Sequence, residues 1–344
     1  MMFIKPKKLE RGDLVATVSP SWGGAGEPEL RWRYEQGVKR LQDVFGLKVV
    51  AMPNSLKGED YLYQHPEARA EDLMQAFKDD NIKAIIANIG GNESIRLLPY
   101  IDFDVIRRNP KIFMGYSDVT ITHLFCLKAG ISSFYGPAVL TDFAENVEMD
   151  PYTIEMVERF LFSSDVVGEI VPAKQWTSEY LEWDIKNKDT RRTMQPNRDY
   201  ELLQGEGVVQ GHLMGGCIEV LEFAKGTAIW PNQEMWDGSI LFFETSEEKP
   251  NPKNITYWLR NYAAQGILER AKGMIFAKPQ DEAFYEEYKD AILTVMREYD
   301  LDMPILYNLN FGHTEPKFIL PYGAKAEIDC ERVSFSIIDQ AVTS

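Results

Sequence analysis

Lys111-Ile-Phe-Met-Gly-Tyr-Ser-Asp-Val-Thr-Ile-Thr-His-Leu-Phe125 contains the pattern of a strand, a tight turn and the start of a helix. The short apolar run Ile112–Met114 is typical of a buried strand, and the apolar spacing after Ser117 predicts a helix that ends at Gly130. A serine in such a turn has its hydroxyl pushed out of the sheet. It also lies beside free amide N–H groups of the helix start, which can stabilise a developing oxyanion. The stretch therefore predicts an α/β fold with Ser117 as a candidate nucleophile.

The motif around this serine is incomplete. A nucleophile turn usually has the pattern G-x-S-x-G, and Val119 stands where the second glycine would be. In the alternative interpretation, the side chain of Ser117 or Asp118 only caps the helix. These residues alone favour the cap, so the role of the serine depends on the rest of the chain.

Strands and helices alternate around this stretch. Leu14–Val18 is a β-type run, and Lys83–Ile89 is a continuous apolar run that leads into Gly90-Gly91. Strands that are apolar on both faces and alternate with helices predict a parallel sheet covered by helices. The paired glycines either let the backbone approach a ligand closely or form a simple turn, and both interpretations stay open. We also predict a strand at Phe134–Val139 and a helix at Pro151–Phe162.

The second half of the chain contains an acid and a histidine that, like Ser117, come at or just after the end of an apolar run. Residues 174–198 are polar and without period, which is typical of a functional lid or a linker. Beyond them, the apolar run Ile240–Phe243 ends in Glu244, a carboxylate that needs a partner at that depth. His313 lies in a turn just after the apolar run Ile305–Leu309. Serine, acid and histidine in this order would supply a nucleophile, an orienting group and a base.

The composition excludes several classes of function. The chain has 344 residues, enough for two domains, and a net charge of −16, which disfavours nucleic acid and anionic membranes as partners. No apolar stretch is long enough for a transmembrane helix, and no apolar signal core precedes the first charges, so we expect a cytoplasmic protein. The cysteines are isolated, and metal-binding spacings, a P-loop and a complete dinucleotide motif are missing. We therefore expect no metal and no organic cofactor.

Five short motifs occur in order along the chain. They are Ile89-Gly-Gly-Asn-Glu-Ser-Ile-Arg-Leu-Leu-Pro-Tyr-Ile-Asp102, Met114-Gly-Tyr-Ser-Asp118, Gly211-His-Leu-Met-Gly-Gly216, Leu241-Phe-Phe-Glu244 and Phe311-Gly-His313. Together they resemble the LD-carboxypeptidase family of serine peptidases, and more narrowly its branch typified by the microcin C immunity protein. The resemblance covers essentially the whole chain, and five ordered motifs are far more specific than any one of them.

The resemblance implies a Ser-Glu-His triad between two domains. Ser117 would be the nucleophile, His313 the base and Glu244 the carboxylate that orients the imidazole. The backbone N–H groups of Gly91 and Asp118 would form the oxyanion hole. The family fold is an N-terminal parallel-sheet α/β domain resembling class I glutamine amidotransferases, with a smaller C-terminal α/β domain that has a β-rich end. These enzymes are typically homodimers.

On this basis the chain divides into three segments. We expect residues 1–170 to carry the nucleophile, residues 171–204 to form a linker and catalytic loop, and residues 205–344 to supply the glutamate and the histidine. The sequence departs from the family at one place, because Cys217-Ile218 follows the paired glycines where the family commonly has Asn-Leu. The departure puts any role of that asparagine side chain in doubt, but not the triad.

The segment Lys174–Arg198 indicates the branch. Plain LD-carboxypeptidases have a shorter connection here, whereas the immunity branch has a longer loop with a tryptophan that stacks on the nucleobase of its substrate. Trp183 is the best match and Trp176 the second, although both could simply pack the loop onto the domain. Asn92, beside the paired glycines, is a further candidate substrate contact.

These inferences predict a serine carboxypeptidase-like amidohydrolase that acts through an acyl-enzyme. Its substrate would be the amide of a small peptidyl- or aminoacyl-nucleotide such as processed microcin C. One alternative is a muropeptide LD-carboxypeptidase of peptidoglycan recycling, and an alternative of another class is a non-catalytic small-molecule binder that uses the same cleft. Activity should fall at acid pH as His313 protonates, starting from an unperturbed pKa of about 6.5.

Overall fold

The strand of the quoted stretch lies inside the first of two large sheets. The structure is a computed structural model and describes residues 3–344. Its strands, numbered in chain order, are β1 (Leu14–Val18), β2 (Lys48–Ala51), β3 (Ile82–Ala87), β4 (Ile112–Gly115), β5 (Phe134–Tyr135), β6 (Val166–Glu169), β7 (Gln175–Trp176), β8 (Gln195–Pro196), β9 (Glu201–Gln204), β10 (Val208–Cys217), β11 (Ser239–Glu244), β12 (Gly273–Ala277), β13 (Ile305–Leu309), β14 (Leu320–Pro321), β15 (Lys325–Asp329) and β16 (Ser334–Gln340). Its α-helices are α1 (Arg31–Asp43), α2 (Glu59–Gln64), α3 (Pro66–Lys78), α4 (Phe103–Arg108), α5 (Thr120–Ala129), α6 (Pro151–Val157), α7 (Ile218–Ala224), α8 (Pro252–Ala264) and α9 (Tyr285–Glu298).

The first sheet has six strands in the order β14-β5-β4-β3-β1-β2. Strands β1 to β5 are mutually parallel, and β14 pairs with β5 in the antiparallel direction. Every residue of β4 and all but one of β3 are buried, as expected for parallel strands covered on both faces. The predicted parallel-sheet α/β architecture is confirmed. It brings the carboxyl ends of β3, β4 and β5 to one edge, where α/β sheets bind their ligands.

The second sheet has eight strands in the order β6-β16-β15-β10-β11-β12-β13-β9. Its centre, β10 to β13, is parallel, and the outer strands pair in the antiparallel direction. Strands β11, β12 and β13 are buried at every residue. This sheet is the further β-rich unit that the sequence predicted, and the carboxyl ends of β11 and β13 point to the same region as the carboxyl end of β4.

Each sheet receives a strand from the other half of the chain. Strand β6 lies before residue 170, yet it pairs with β16 at the edge of the second sheet. Strand β14 comes from the last part of the chain and pairs with β5 at the edge of the first sheet. The predicted segment 1–170 therefore contributes to both sheets.

Some local predictions were wrong. The strand predicted at Phe134–Val139 is limited to β5, because Pro137 has no N–H to donate to a ladder, and Val139–Phe143 forms a π-helical turn. The helix predicted at Pro151–Phe162 is α-helical only over α6 and continues as a π-helical turn at Glu158–Phe162. The first departure falls where most side chains are buried, so that tertiary contacts outweigh the local pattern.

The polar segment 174–198 contains little regular structure, as predicted. Strand β7 pairs with β8, and a single 3-10 turn at Ile185–Asn187 begins with the side chain of Asp184 accepting a backbone N–H. In the part of the chain that the structure describes, the longest helices are too short and too polar to cross a bilayer.

Candidate active site

Ser117 lies two residues beyond the end of β4, in the turn that leads into α5. Its backbone has a φ of 66°, a left-handed conformation that costs a non-glycine residue on the order of 1 kcal/mol and must be held by its surroundings. The Ser117 N–H donates to the hydroxyl of Tyr135 at 3.0 Å, and its carbonyl accepts from the hydroxyl of Thr120 at 2.7 Å. A Cβ at position 90 would lie 2.7 Å from Ser117 Cβ, so any residue larger than glycine would clash with the serine. This is the geometry expected of a nucleophile turn.

His313 and Glu244 reach Ser117 from the second sheet. Glu244 is the last residue of β11, and His313 lies in the turn after β13. His313 Nδ1 is 2.6 Å from Glu244 Oε2, and His313 Nε2 is 3.1 Å from Ser117 Oγ. Gly312 has a φ of 81°, and a Cβ there would lie 2.5 Å from Glu244 Oε2, so a glycine is required before the histidine. The structure thus brings together the three residues predicted to form a triad.

The carboxylate of Glu244 is held from two sides. The residue is 0% exposed, and one carboxylate oxygen contacts His313 while the other accepts from the hydroxyl of Tyr135. Burial and the charge of Glu244 raise the pKa of Tyr135 well above 10, so the hydroxyl keeps its proton for this hydrogen bond. Because the same hydroxyl accepts from the Ser117 N–H, it links the carboxylate directly to the turn of the nucleophile.

His313 has a second acidic neighbour. Glu247 Oε2 lies 3.0 Å from His313 Nε2, the nitrogen that also faces Ser117. Burial opposes the charging of His313, but the charges and hydrogen bonds of Glu244 and Glu247 outweigh it and hold the pKa of His313 well above 6.5. The hydrogen bond with His313 in turn lowers the pKa of Glu247 to about 2. The pKa of His313 therefore lies above the unperturbed value of about 6.5 from which the acid limb was predicted.

Of the predicted oxyanion donors, Asp118 directly follows Ser117, and Gly91 follows Gly90, at which a Cβ would meet Ser117; Gly91 and Ser117 line the same cavity. Among residues 3–344, the Gly91 N–H has no hydrogen-bond partner. The side chain of Asp118 is buried and accepts the backbone N–H groups of Glu93 and Ser94 at 2.9 and 2.8 Å. Asp118 therefore fastens the glycine turn to the turn of the nucleophile. Within the described chain neither Ser117 nor Asp118 caps α5 with its side chain, so the capping interpretation was wrong.

A cavity of about 420 Å³ opens in front of Ser117 and His313. Parts of both sheets and of the 174–198 segment form its wall. Its charged side chains other than the histidine are two cations and four carboxylates, namely Arg33, Arg192, Glu145, Glu179, Glu247 and Glu315. The cavity wall is therefore acidic on balance.

Trp183 is part of the cavity wall, where the sequence predicted a substrate contact. The guanidinium carbon of Arg33 lies 4.6 Å from the centre of its ring, and the indole N–H of Trp32 donates to its carbonyl at 3.3 Å. The indole is thus fixed by a cation–π contact and by its own backbone. The indole is therefore already oriented for stacking on a planar ligand in the cavity.

The structure does not bring the other two predicted substrate contacts into this cavity. Trp176 is 7% exposed and packs under Lys278, whose ammonium lies 4.4 Å from the ring centre. Asn92 lines a neighbouring cavity of about 400 Å³ that shares Trp22 and Gly91 with the first. Trp176 therefore has the packing role that was the alternative interpretation of its sequence position.

Cys217, which stands where the family commonly has an asparagine, is fully buried. Its N–H donates to the hydroxyl of Thr120 at 3.2 Å, and its thiol lies 3.3 Å from a carboxylate oxygen of Glu219. Burial and the charges of Glu244 and Glu219 raise the pKa of the thiol well above 9, so it stays protonated. Cys217 therefore supports the turn of the nucleophile through Thr120.

Sequence reasoning missed Tyr135, Arg192 and Glu247. Tyr135 ends β5 beside β4, so the rule that ligands meet the carboxyl ends of parallel strands would have pointed to it. Glu247 lies three residues after Glu244 among other acids, and Arg192 lies in a segment without period. No sequence signal distinguishes these two from their neighbours.

Two family models match the chain. A model of the LD-carboxypeptidase N-terminal domain matches residues 15–136, and a model of the LD-carboxypeptidase C-terminal domain matches residues 210–328. The first contains Ser117, and the second contains Glu244 and His313.

Individual proteins match over nearly the whole chain. The microcin C7 self-immunity protein MccF of Escherichia coli is 29% identical over 91% of this chain and 90% of its own length. A probable murein peptide carboxypeptidase of Bacillus subtilis is 28% identical over 94% of this chain and 91% of its own length. The crystal structure of an MccF-like protein from Streptococcus pneumoniae in complex with AMP superposes with a TM-score of 0.88 at 36% identity, covering 94% of this chain and 98% of that protein.

Proposed function

The chain belongs to the LD-carboxypeptidase family and is a serine peptidase of that family, and from this premise we propose that Ser117, His313 and Glu244 are its catalytic triad. The observation that carries the proposal is the position of His313, with one ring nitrogen 3.1 Å from the serine hydroxyl and the other 2.6 Å from the carboxylate. The strained turn at Ser117 and the full burial of Glu244 add to it.

In the proposed reaction His313 Nε2 accepts the proton of Ser117 as Oγ attacks the carbonyl carbon of the substrate amide. The tetrahedral intermediate collapses, the bond between carbon and nitrogen breaks, and the leaving amine takes the proton from His313. A water molecule then repeats the sequence on the acyl-enzyme and releases the acid. Glu244 keeps the imidazole oriented and stabilises its charged form in both steps.

The oxyanion of both intermediates would be held by the N–H groups of Gly91 and Asp118. What supports this assignment is the free N–H of Gly91 and its attachment to the turn of the nucleophile through the Asp118 side chain. Two fixed donors of this kind act where charge develops. Loss of one donor in an oxyanion hole typically lowers the rate by about 10²- to 10³-fold.

The substrate that fits best is a small peptidyl- or aminoacyl-nucleotide such as processed microcin C. The AMP complex of the Streptococcus pneumoniae relative, at 36% identity, supports a nucleotide ligand. In this chain, the fixed indole of Trp183 on the cavity wall offers a surface on which a base can stack.

A muropeptide is the second candidate substrate. The similarity to a probable murein peptide carboxypeptidase of Bacillus subtilis favours it. In that case the scissile amide would join a diamino acid to a terminal D-alanine, and Trp183 would have no base to stack on.

The proposal includes a reducing compartment and a homodimer. Cys126, Cys217 and Cys330 are buried and unpaired, which fits the cytoplasm. The homodimer rests on the family resemblance, and light scattering of the purified protein would test it.

The decisive experiment combines labelling with turnover. A serine-directed fluorophosphonate should add its mass to the wild-type protein and to Ser178→Ala, a matched control because Ser178 lines the same cavity. Ser117→Ala should not be labelled. Mass spectrometry should show hydrolysis of an aminoacyl sulfamoyl adenosine or of a muropeptide by the wild type, with a loss of roughly 10⁴-fold or more in Ser117→Ala. Wild-type turnover by purified Ser117→Ala would refute the triad.

A further inference from the structure

Glu247 stands in an unusual place beside the proposed triad. Its carboxylate is 3.0 Å from His313 Nε2, and the same nitrogen is 3.1 Å from Ser117 Oγ. The side chain is nevertheless 61% exposed. A carboxylate that reaches the base from the open side of the cavity lies in the path of the substrate.

The other carboxylates of the cavity wall already have partners. Glu145 and Glu315 both pair with Arg192, and Glu179 accepts the backbone N–H of Thr193. Within residues 3–344, the only ion pair of Glu247 is with His313. Glu247 is therefore the carboxylate of the wall that is available to a charged group of a ligand.

We infer that Glu247 is a specificity residue that binds a free ammonium group on the acyl part of the substrate, next to the scissile carbonyl. The inference rests on the proposed function, since it takes Ser117 as the nucleophile. It narrows the substrate class to α-aminoacyl compounds with an unblocked amine. A muropeptide whose α-amine is already in a peptide bond would not make this contact.

The distances agree with this role. In an α-amino acid the nitrogen lies two bonds from the carbonyl carbon, at about 2.5 Å. A carbonyl seated at Ser117 Oγ therefore places its ammonium group close to the neighbours of His313. An ammonium group there meets an acidic wall and the carboxylate of Glu247, whose only ion pair within residues 3–344 is with His313.

Binding of an ammonium group to Glu247 also frees the base. While Glu247 contacts Nε2, the imidazole holds a proton on the nitrogen that must accept one from Ser117. An ammonium group that draws Glu247 away leaves the lone pair of Nε2 to the serine. The substrate would thus complete the site that attacks it.

The groups that face His313 define what a pH profile reports. They are Glu244 at the end of β11, Glu247 in the loop that follows β11, Tyr116 before the nucleophile, Glu315 on the same segment as His313 and Glu219 on α7. Glu244 remains in place when Glu247 is neutralised. The acid limb of kcat/KM reports the free enzyme, in which Glu247 and His313 are in contact.

The test compares two substrates that differ at one group, an aminoacyl sulfamoyl adenosine and its N-acetyl derivative. The wild type should prefer the free amine by roughly ten- to a hundredfold in kcat/KM, the value of a charge-assisted hydrogen bond. Glu247→Gln should reduce this preference to about one. For the acetylated substrate the acid limb of the wild type should lie above pH 6.5, because carboxylates hold the pKa of His313 up. It should move to lower pH in Glu247→Gln.

Glu248→Gln is the matched control, because Glu248 is the adjacent exposed acid. It should keep both the preference and the pH profile of the wild type. Equal kcat/KM of the wild type for both substrates, or an unchanged preference in Glu247→Gln, would overturn the inference while leaving the triad standing. Failure of the wild type to hydrolyse either substrate would instead overturn the proposed function and the inference with it.

Discussion

At the scale of single residues, Tyr135 connects parts of the site that come from different sheets. Its hydroxyl accepts from the Ser117 N–H and donates to the buried carboxylate of Glu244. The left-handed conformation of Ser117 and the orientation of the carboxylate therefore depend on one oxygen atom. A phenylalanine would keep the ring and remove only this link.

We expect Tyr135→Phe to lose both stability and activity. A buried carboxylate that loses a donor costs about 1.5–3 kcal/mol in the free energy of unfolding, measured by urea denaturation. The rate of hydrolysis should fall roughly tenfold or more, because the carboxylate and the nucleophile are no longer aligned. Tyr262→Phe is the control, because the buried Tyr262 hydroxyl lacks a hydrogen-bond partner within residues 3–344. If both variants behaved alike, Tyr135 would have only a packing role.

The sequence predicted some residues of the site and not others for a physical reason. Ser117, Glu244 and His313 each follow a strongly apolar strand, and the carboxyl ends of such strands converge. Glu247 has no such context, because its place beside His313 is set by how the polar loop after β11 folds. Such a contact exists only in three dimensions.

At the scale of elements, the 174–198 segment is the part that we propose distinguishes one substrate from another. It contributes Trp183 to the cavity wall, while Trp176 anchors the segment under Lys278. One tryptophan thus fixes the segment and the other faces the ligand space.

If the substrate carries a nucleobase, Trp183→Ala should weaken the binding of that substrate and leave ligands without a base unaffected. Base–aromatic stacking contributes about 1–3 kcal/mol, so binding of an aminoacyl-adenylate analogue, measured by calorimetry, should fall roughly ten- to a hundredfold. Trp183→Phe should retain part of the affinity. Hydrolysis of a muropeptide should hardly change, since it has no base to stack. Equal losses on both ligands would mean that the indole only positions the segment, and would favour the muropeptide function.

Elements with a strong period were predicted and short ones were not. The apolar runs of β1, β11 and β13 agree with the structure almost residue by residue. Strands β9 and β15 were missed, because β9 is a partly exposed edge strand of four residues, and β15 has only Ala326 and Ile328 as apolar residues among charged ones. The short helix α4 was missed for a similar reason, since six residues give too few turns for a period.

At the scale of the whole molecule, Arg192 joins three parts of the chain. It lies in the 174–198 segment and pairs with Glu145 from the first half and with Glu315 from the second. Burial alone would raise the pKa of Glu315, but Arg192 and Lys317 hold it at about 2. The side chain of Arg192 is 17% exposed, so its loss would leave two largely buried carboxylates short of a cation.

We expect Arg192→Ala to lower the free energy of unfolding at pH 7 by about 3–5 kcal/mol, the usual cost of breaking a buried ion pair. Arg191→Ala is the control, because the adjacent Arg191 pairs with Glu148 and both side chains are more than 60% exposed. Its change should be within about 1 kcal/mol. Similar urea midpoints for the two variants would show that Arg192 does not hold the parts of the molecule together.

The exchange of strands between the two sheets bears on how such a chain can evolve. Because β6 completes the second sheet and β14 completes the first, neither half of the chain contains a complete sheet by itself. Recombination that replaced one half by that of a distant relative would join a sheet to a foreign edge strand. Residues of both halves line the cavity, so we expect new specificities to arise more readily by substitutions in the loops around it than by exchange of halves. We therefore expect the two halves to be inherited together.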